Sequence, residues 1–250
     1  MSKCDGTTLK NIKDKRVVML QSGGLDSNVI TAMFNFYGFE IHHLFVDYGQ
    51  NSSKKELETV NKIVSHYGKG NYLHEVSITL PWLKDSTNLV DGDPSITDEE
   101  VSNAPLNAVT GGEYVPMRNH VLISIASSLA ESLGIEYIAT ALDGAETFFT
   151  HTPLGGTTDK HPLFVKKLEK SLSEGSSLYW VHHKKFKILV PVMNNFKEDT
   201  IRLGVMYGAD FSLSWSCYNS TEKPCGVCGA CRERERAFNA VGMKDPLKLS

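Results

Sequence analysis

Val17-Val18-Met19-Leu20-Gln21-Ser22-Gly23-Gly24-Leu25-Asp26-Ser27 is the stretch on which the reading of this chain turns. Residues 17–20 form a short apolar, largely β-branched run that suits a strand buried in a parallel sheet. Residues 28–37 then space Val29, Ala32, Met33 and Phe36 at helical intervals up to Gly38. The glycine pair therefore sits in a tight turn between a strand and a helix. Backbone N–H groups and the positive end of the helix converge at such a turn and make an anion site. Two adjacent glycines let the backbone approach an oxyanion closely, and Ser22 and Ser27 offer hydroxyl donors. A glycine pair alone would mark no more than a serine-capped helix, but the whole hexapeptide behind a strand points to phosphate. It is neither the G-x-x-x-x-G-K-[ST] P-loop, whose lysine it lacks, nor the G-x-G-x-x-G dinucleotide fingerprint.

Outward from this turn, strands and helices alternate. Residues 41–46 read as a second strand that ends on Asp47-Tyr48-Gly49-Gln50, residues 54–67 as an amphipathic helix closed by Gly68, and residues 72–76 as a third strand. Residues 80–116 are rich in Pro, Asp, Asn, Ser and Thr with little periodicity, which predicts a long functional lid. Pro116-Met117-Arg118-Asn119 opens a helix with Val121, Leu122, Ile125, Leu129 and Leu133 on one face. Residues 135–140 and 188–192 read as further strands, and residues 163–172, 198–207 and 232–240 as helices. Residues 141–162 form a second loop and residues 1–15 a frayed tail. This alternation predicts an α/β fold with a mainly parallel sheet covered by helices on both faces. Ligands then bind beyond the carboxyl ends of the strands, near a switch in strand order. Asp47, Tyr48 and Gly49 fall at such an end, where they either seat an adenosine or form a simple glycine turn. Nothing divides the chain, so residues 1–250 are expected to form one domain.

The chain has 250 residues, 26 Lys+Arg against 29 Asp+Glu and a formal charge of −3, with 41% hydrophobic and 22% charged residues. These values describe an ordinary globular chain. There is no run of roughly 18 apolar residues to span a membrane, and the first residues lack the apolar core of a secretory signal, so a cytoplasmic location is expected. The charge balance argues against binding duplex nucleic acid through bulk charge.

Four of the five cysteines, Cys217, Cys225, Cys228 and Cys231, fall within fifteen residues, and Cys4 stands apart. In a chain without an export signal they read as a metal site rather than a disulfide framework. Four thiolates at this spacing, with no open ligand position, favour a closed structural Zn²⁺ site over an iron–sulfur cluster, a redox pair or buried thiols. Such a site lends stability rather than chemistry and is expected to pin residues 210–250 onto the sheet. Arg232, Arg234 and Arg236 alternate with Glu233 and Glu235, which reads as a solvated helix face rather than a basic groove.

SGGLDS resembles the pyrophosphatase loop of the ATP-pyrophosphatase superfamily. With VDYGQ, VPMRN and SWSCYN…PCGVCGACRERERAF following in order, the chain resembles the 7-cyano-7-deazaguanine synthase (QueC) family over most of its length. The resemblance implies an adenine nucleotide alpha-hydrolase-like, Rossmann-like fold that uses ATP, Mg²⁺ and Zn²⁺. It implies an ATP-dependent carbon–nitrogen ligase that adenylates the carboxylate of 7-carboxy-7-deazaguanine. Ammonia then gives the amide, and a second ATP gives the nitrile, preQ0. By the same resemblance Ser22, Gly23, Gly24, Leu25, Asp26 and Ser27 hold the phosphates, with Asp26 organising Mg²⁺. Arg118 and Asn119 match an arginine–asparagine pair, Lys197 matches a lysine at a helix start, and the four cysteines match the zinc ligands. On the bare pattern Arg118 and Lys197 would be ordinary surface cations; in such a site either could neutralise charge as an acyl-adenylate forms.

The chain departs from the family in two places. Asn51-Ser52 follows Gln50 where Arg-His is usual, and residues 142–153 lack an expected Tyr-Pro-Asp-Cys-Arg block. Glu146 stands nearest to a missing Asp, and His151 is a candidate base toward substrate. The altered loop opens a second reading, in which a protein amine replaces ammonia and the reaction stops at an amide in a specialised system, for example defence. A tRNA sulfur-transfer enzyme would need a reactive cysteine outside the metal set, and only Cys4 is available. A non-catalytic zinc module on nucleic acid would leave SGGLDS unexplained. Homo-oligomerisation is compatible with all of these.

Overall fold

The computed structural model describes residues 6–84, 86–91, 115–142 and 158–248. Five parallel strands form one sheet: β1 (Arg16–Leu20), β2 (Glu40–Asp47), β3 (Asn71–Ser77), β4 (Tyr137–Ala139) and β5 (Lys187–Leu189), in the order β3-β2-β1-β4-β5. The order reverses at β1, which pairs with β2 on one side and β4 on the other, so a crevice opens beyond the ends of β1 and β4.

The central strand shows why a continuous apolar run is required. Val17 and Met19 enter a core with helices α2 (Leu25–Phe36) and α7 (Lys197–Tyr207), joined by Phe238 of α8 (Gly229–Ala240). Val18 points the opposite way, into a core with Ala126 and Ala130 of α4 (Arg118–Leu133). Side chains alternate faces along a strand, and here both faces are covered. Helix α3 (Ser53–Tyr67) packs along β2 and β3, and α5 (Pro162–Glu174) closes the β5 side with Val165 and Leu168. Among the described residues no helix is long and apolar enough to cross a membrane.

Several expectations need correction. Residues 6–15 are not frayed: Gly6–Asn11 form helix α1, and Leu9 and Ile12 enter the first core. Strand β5 stops at Leu189 instead of reaching residue 192, because Pro191 has no N–H to donate and the chain turns there. Strand β4 is likewise confined to Tyr137–Ala139. A short helix, α6 (Ser177–His182), follows α5 in a stretch not expected to be helical. The expected lid at 80–116 is described only at its two ends, where Pro81–Leu83 form a 3₁₀ turn. Cys4, Glu146 and His151, with residues 143–153 of the altered loop, lie outside the described residues.

Candidate active site and metal centre

At the crevice beyond β1 and β4 lies a cavity of about 310 Å³, at the lower end of the roughly 300–1,000 Å³ usual for small-molecule sites. Its walls bring together the ends of three strands, the glycine turn, the start of α4, the start of α7 and the start of α8.

The glycine turn is built by its own backbone demands. Gly23 has φ of 71° and donates its N–H to Gln21 Oε1 at 3.0 Å. A Cβ there would lie 3.0 Å from the Glu56 carbonyl and 3.1 Å from Thr59, so α3 requires glycine at this point. Gly24 is the N-cap of α2, and no side chain caps the helix start. The positive end of α2 can therefore receive an anion. Ser22 is exposed and accepts from the Gly24 N–H at 3.3 Å. Ser27 is buried and donates its hydroxyl to the Gly24 carbonyl at 3.0 Å, holding the turn from beneath. Leu25 is buried at the head of α2.

Asp26 and Lys197, far apart in sequence, meet: Lys197 Nζ donates to Asp26 Oδ2 at 2.6 Å. The other oxygen, Asp26 Oδ1, is buried and has no hydrogen-bond partner among the described residues. An orphaned carboxylate oxygen beside a helix N-terminus suits a hard divalent cation such as Mg²⁺, so the residues present fit that group.

Arg118 enters from the other side. Met117, just before it, adopts the left-handed φ of 54°, and the chain turns there into α4. Arg118 donates to the Tyr48 hydroxyl at 3.4 Å. Burial works against the guanidinium charge, and Tyr48 and Asp159 offset it. The Asn119 N–H donates to Asp159 Oδ2 at 3.3 Å, and the Asn119 side chain is on the cavity wall. Both readings of Asp47-Tyr48-Gly49 have a counterpart in the geometry. Asp47 Oδ1 accepts from the Gly49 N–H at 2.9 Å and Gly49 has φ of 89°, a true glycine turn, while Tyr48 faces the cavity.

Three acidic residues near the cavity escaped the sequence reading. Glu56 accepts from Ser52 Oγ at 2.7 Å and from Gln50 Nε2 at 2.9 Å, and burial pushes its carboxyl above its ordinary value. Its signal was the S-x-x-x-E spacing at the start of α3. Asp159 is buried and lies in a segment with no periodic pattern. Glu233 lay in the charge run read as solvated, and it sits 3.6 Å from Lys197.

That charge run is the clearest correction. Arg232 and Arg236 are exposed, but Arg234 is 4% exposed. It pairs with Asp245 through two bonds of 2.8 and 2.9 Å, and donates to Ser214 Oγ at 2.8 Å, Ser216 Oγ at 3.2 Å and the Phe211 carbonyl at 3.1 Å. Residues two apart cannot share a helix face, so one arginine of the three turns inward.

The four cysteines converge, with all Sγ atoms within 4.8 Å of one another and Cys225 and Cys231 4.0 Å apart. Tetrahedral zinc with Zn–S bonds of about 2.3 Å requires sulfur separations of about 3.8 Å. The Cys225 N–H donates to Cys217 Sγ at 3.3 Å and the Cys228 N–H to Cys225 Sγ at 3.4 Å. Gly226 takes φ of 76° between them, and α8 begins directly after Cys228. An all-thiol donor set with N–H groups and a helix N-terminus aimed at the sulfurs fits zinc. The segment also reaches the glycine turn, since the Trp215 N–H donates to the Gly23 carbonyl at 2.8 Å.

A family model described as queuosine biosynthesis protein QueC matches residues 16–242, from β1 to just beyond α8. A 7-cyano-7-deazaguanine synthase of Methanobrevibacter smithii is 36% identical over 239 residues, covering 93% of this chain and 96% of the relative. Proteins of the same name from Thermoplasma volcanium and Clostridium kluyveri are 34% and 30% identical, each across 94% of this chain and 91% and 97% of the relative.

Proposed function

Because the chain belongs to the QueC family of queuosine biosynthesis proteins, we propose that it is an ATP-dependent ligase that converts 7-carboxy-7-deazaguanine to 7-cyano-7-deazaguanine. The carrying observation is the juxtaposition in one cavity of an uncapped helix N-terminus behind a glycine turn with Lys197 and Arg118. A triphosphate needs the first, and a carboxylate attacking the α-phosphate needs cations that neutralise the charge gathered there. Residues 1–250 then form one catalytic domain, with 210–250 a metal-binding subregion of it.

In this reading the N–H groups at the start of α2 and the Ser22 hydroxyl hold phosphate oxygens. The substrate carboxylate displaces pyrophosphate to give the acyl-adenylate, with Lys197 and Arg118 offsetting negative charge. Tyr48 orients Arg118 through their 3.4 Å bond. Ammonia displaces AMP to give the amide. A second ATP activates the amide oxygen, and loss of AMP leaves the nitrile. Mg²⁺, when bound, supplies further charge neutralisation on the phosphates, and Asp26 is the residue that would hold it. Zn²⁺ would be held by Cys217, Cys225, Cys228 and Cys231, remote from any bond change.

The sequence of residues 142–153, without the family's Tyr-Pro-Asp-Cys-Arg block, favours a second reading in which an amine of a protein partner accepts the acyl group. An acyl-adenylate reacts with whichever amine the pocket orients. Two incubations separate the readings: protein, ATP, Mg²⁺ and 7-carboxy-7-deazaguanine with either ammonium or an amine-bearing protein, with products identified by mass spectrometry. Efficient conversion of the acid to the nitrile supports the synthase. AMP release without nitrile, stimulated by an amine-bearing protein, supports the conjugating enzyme. Absence of AMP in both arms overturns the ligase reading.

A further inference from the structure

Among the described residues, two carboxylates lie close to one ammonium in the wall of the cavity. Lys197, the first residue of α7, holds Nζ 2.6 Å from Asp26 Oδ2 and 3.6 Å from Glu233 Oε2, and its side chain is only 9% exposed. Asp26 comes from the glycine turn and Glu233 from α8, two residues after Cys231. The rotation of α8 that presents Glu233 is fixed on one side by Cys228 and Cys231 and on another by the Arg234–Asp245 pair.

Within the nucleotide reading above, on which this inference rests, the arrangement contains a competition. Asp26 is the carboxylate placed to meet a phosphate-bound divalent cation, and one of its oxygens is already engaged by Lys197. An ammonium pushed off that oxygen by a dication keeps a fixed place beside the phosphates only if a second protein anion holds it. Among the described residues, Glu56 accepts from Ser52 and Gln50, Asp159 accepts from the Asn119 N–H, and Glu198 pairs with Arg236 at 3.7 Å. Glu233 is in reach.

We propose that Glu233 is a positioning residue that receives Lys197 when a phosphate-bound divalent cation takes Asp26. The ammonium then closes the remaining distance to Glu233 and stays beside the phosphates instead of competing for the metal-binding carboxylate. Glu233 acts through Lys197 and touches neither substrate nor cation. A purely structural Glu233 would alter stability and leave cation affinity alone.

The test is Mn²⁺ binding to the full chain, read by electron paramagnetic resonance with an α,β-methylene ATP analogue present. Glu233→Gln is expected to weaken Mn²⁺ binding about tenfold, a coupling ordinary for charges in one network. Glu233→Asp, which keeps the carboxylate, is expected to recover most of that loss. In a Lys197→Met background Glu233→Gln is expected to add nothing. Equal affinity for wild type and Glu233→Gln overturns the proposal, as does the same loss with and without Lys197. A crystal structure of the wild-type protein with Mn²⁺ and the analogue needs no variant. Lys197 within hydrogen-bond distance of Glu233 supports the proposal, and Lys197 still seated on Asp26 overturns it. A wild-type chain that takes up no analogue fails the nucleotide reading itself, whereas wild-type uptake with unchanged Glu233→Gln affinity fails this proposal alone.

Discussion

The glycine turn at 22–27 and the cysteine segment at 217–231 use the same materials in opposite ways. Each places backbone N–H groups and the start of a helix, α2 or α8, around a small volume. In the cysteine segment four sulfurs fill that volume from all sides, whereas in the turn the helix start is uncapped and Asp26 Oδ1 is unmatched. A closed site returns its ion-binding free energy to the fold, and an open one holds that free energy back for a ligand. Damage to the first should therefore appear as lost stability and damage to the second as lost turnover.

The largest effect expected is at the closed site. Cys225→Ser removes one of four ligands, and structural zinc contributes on the order of 10 kcal/mol or more to folding. We expect one zinc per wild-type chain by metal analysis, and in the mutant a lost metal with rapid hydrogen exchange across Gly229–Ala240. Iron in the fresh protein, or a metal-free protein with undiminished protection, would contradict the assignment.

Arg234 sharpens the comparison because it belongs to neither site yet borders both. Replacing it with Met leaves Asp245 buried and alone, which costs about 3–5 kcal/mol. The midpoint of urea unfolding should fall accordingly, and nucleotide affinity with it, because Ser214 and Ser216 flank the residue that holds Gly23. A variant with normal stability would show that the clasp carries no weight.

At the open site Asp26→Ala should cut AMP formation by roughly 10³-fold, about 4 kcal/mol of transition-state stabilisation, while the thermal midpoint shifts by a few degrees at most. Retained AMP formation would break the contrast outright.

The smallest effect is a pH dependence shared by neither site. His43 is fully buried on β2, its Nε2 is paired to Asn71 at 2.8 Å, and burial pushes its pKa down to about 4. The folded chain therefore resists protonation that the unfolded chain accepts below about 6.5. The contribution is complete above that pH and is lost as pH falls towards 4, amounting to about 3 kcal/mol. His43→Gln should flatten the slope of unfolding free energy between pH 6.5 and 4, and an unaltered slope would refute the assignment.

The central strand was legible because residues 17–20 are a short apolar run leading into the glycine turn. The glycine turn and the cysteine segment were legible because the residues of each are close in sequence. What could not be read were partners supplied by distance. Lys197 and Arg118 carry no local sign that they share one cavity, and Arg234 looks like its exposed neighbours until Asp245 is seen beside it. Residues 1–15 looked polar overall, yet Leu9 and Ile12 enter the core from within them. A tally of residue types averages such single anchors away.

The bond from the Trp215 N–H to the Gly23 carbonyl also has a bearing on the order of events at the ribosome. The turn is translated roughly 190 residues before this brace. At about 5–20 residues per second that is ~10–40 s. Throughout that interval the nascent chain can pair β1 with β2 and still lack both the brace and the cysteine-bearing helix α8. A nascent chain that stops short of Trp215 would therefore carry the glycine turn without this brace.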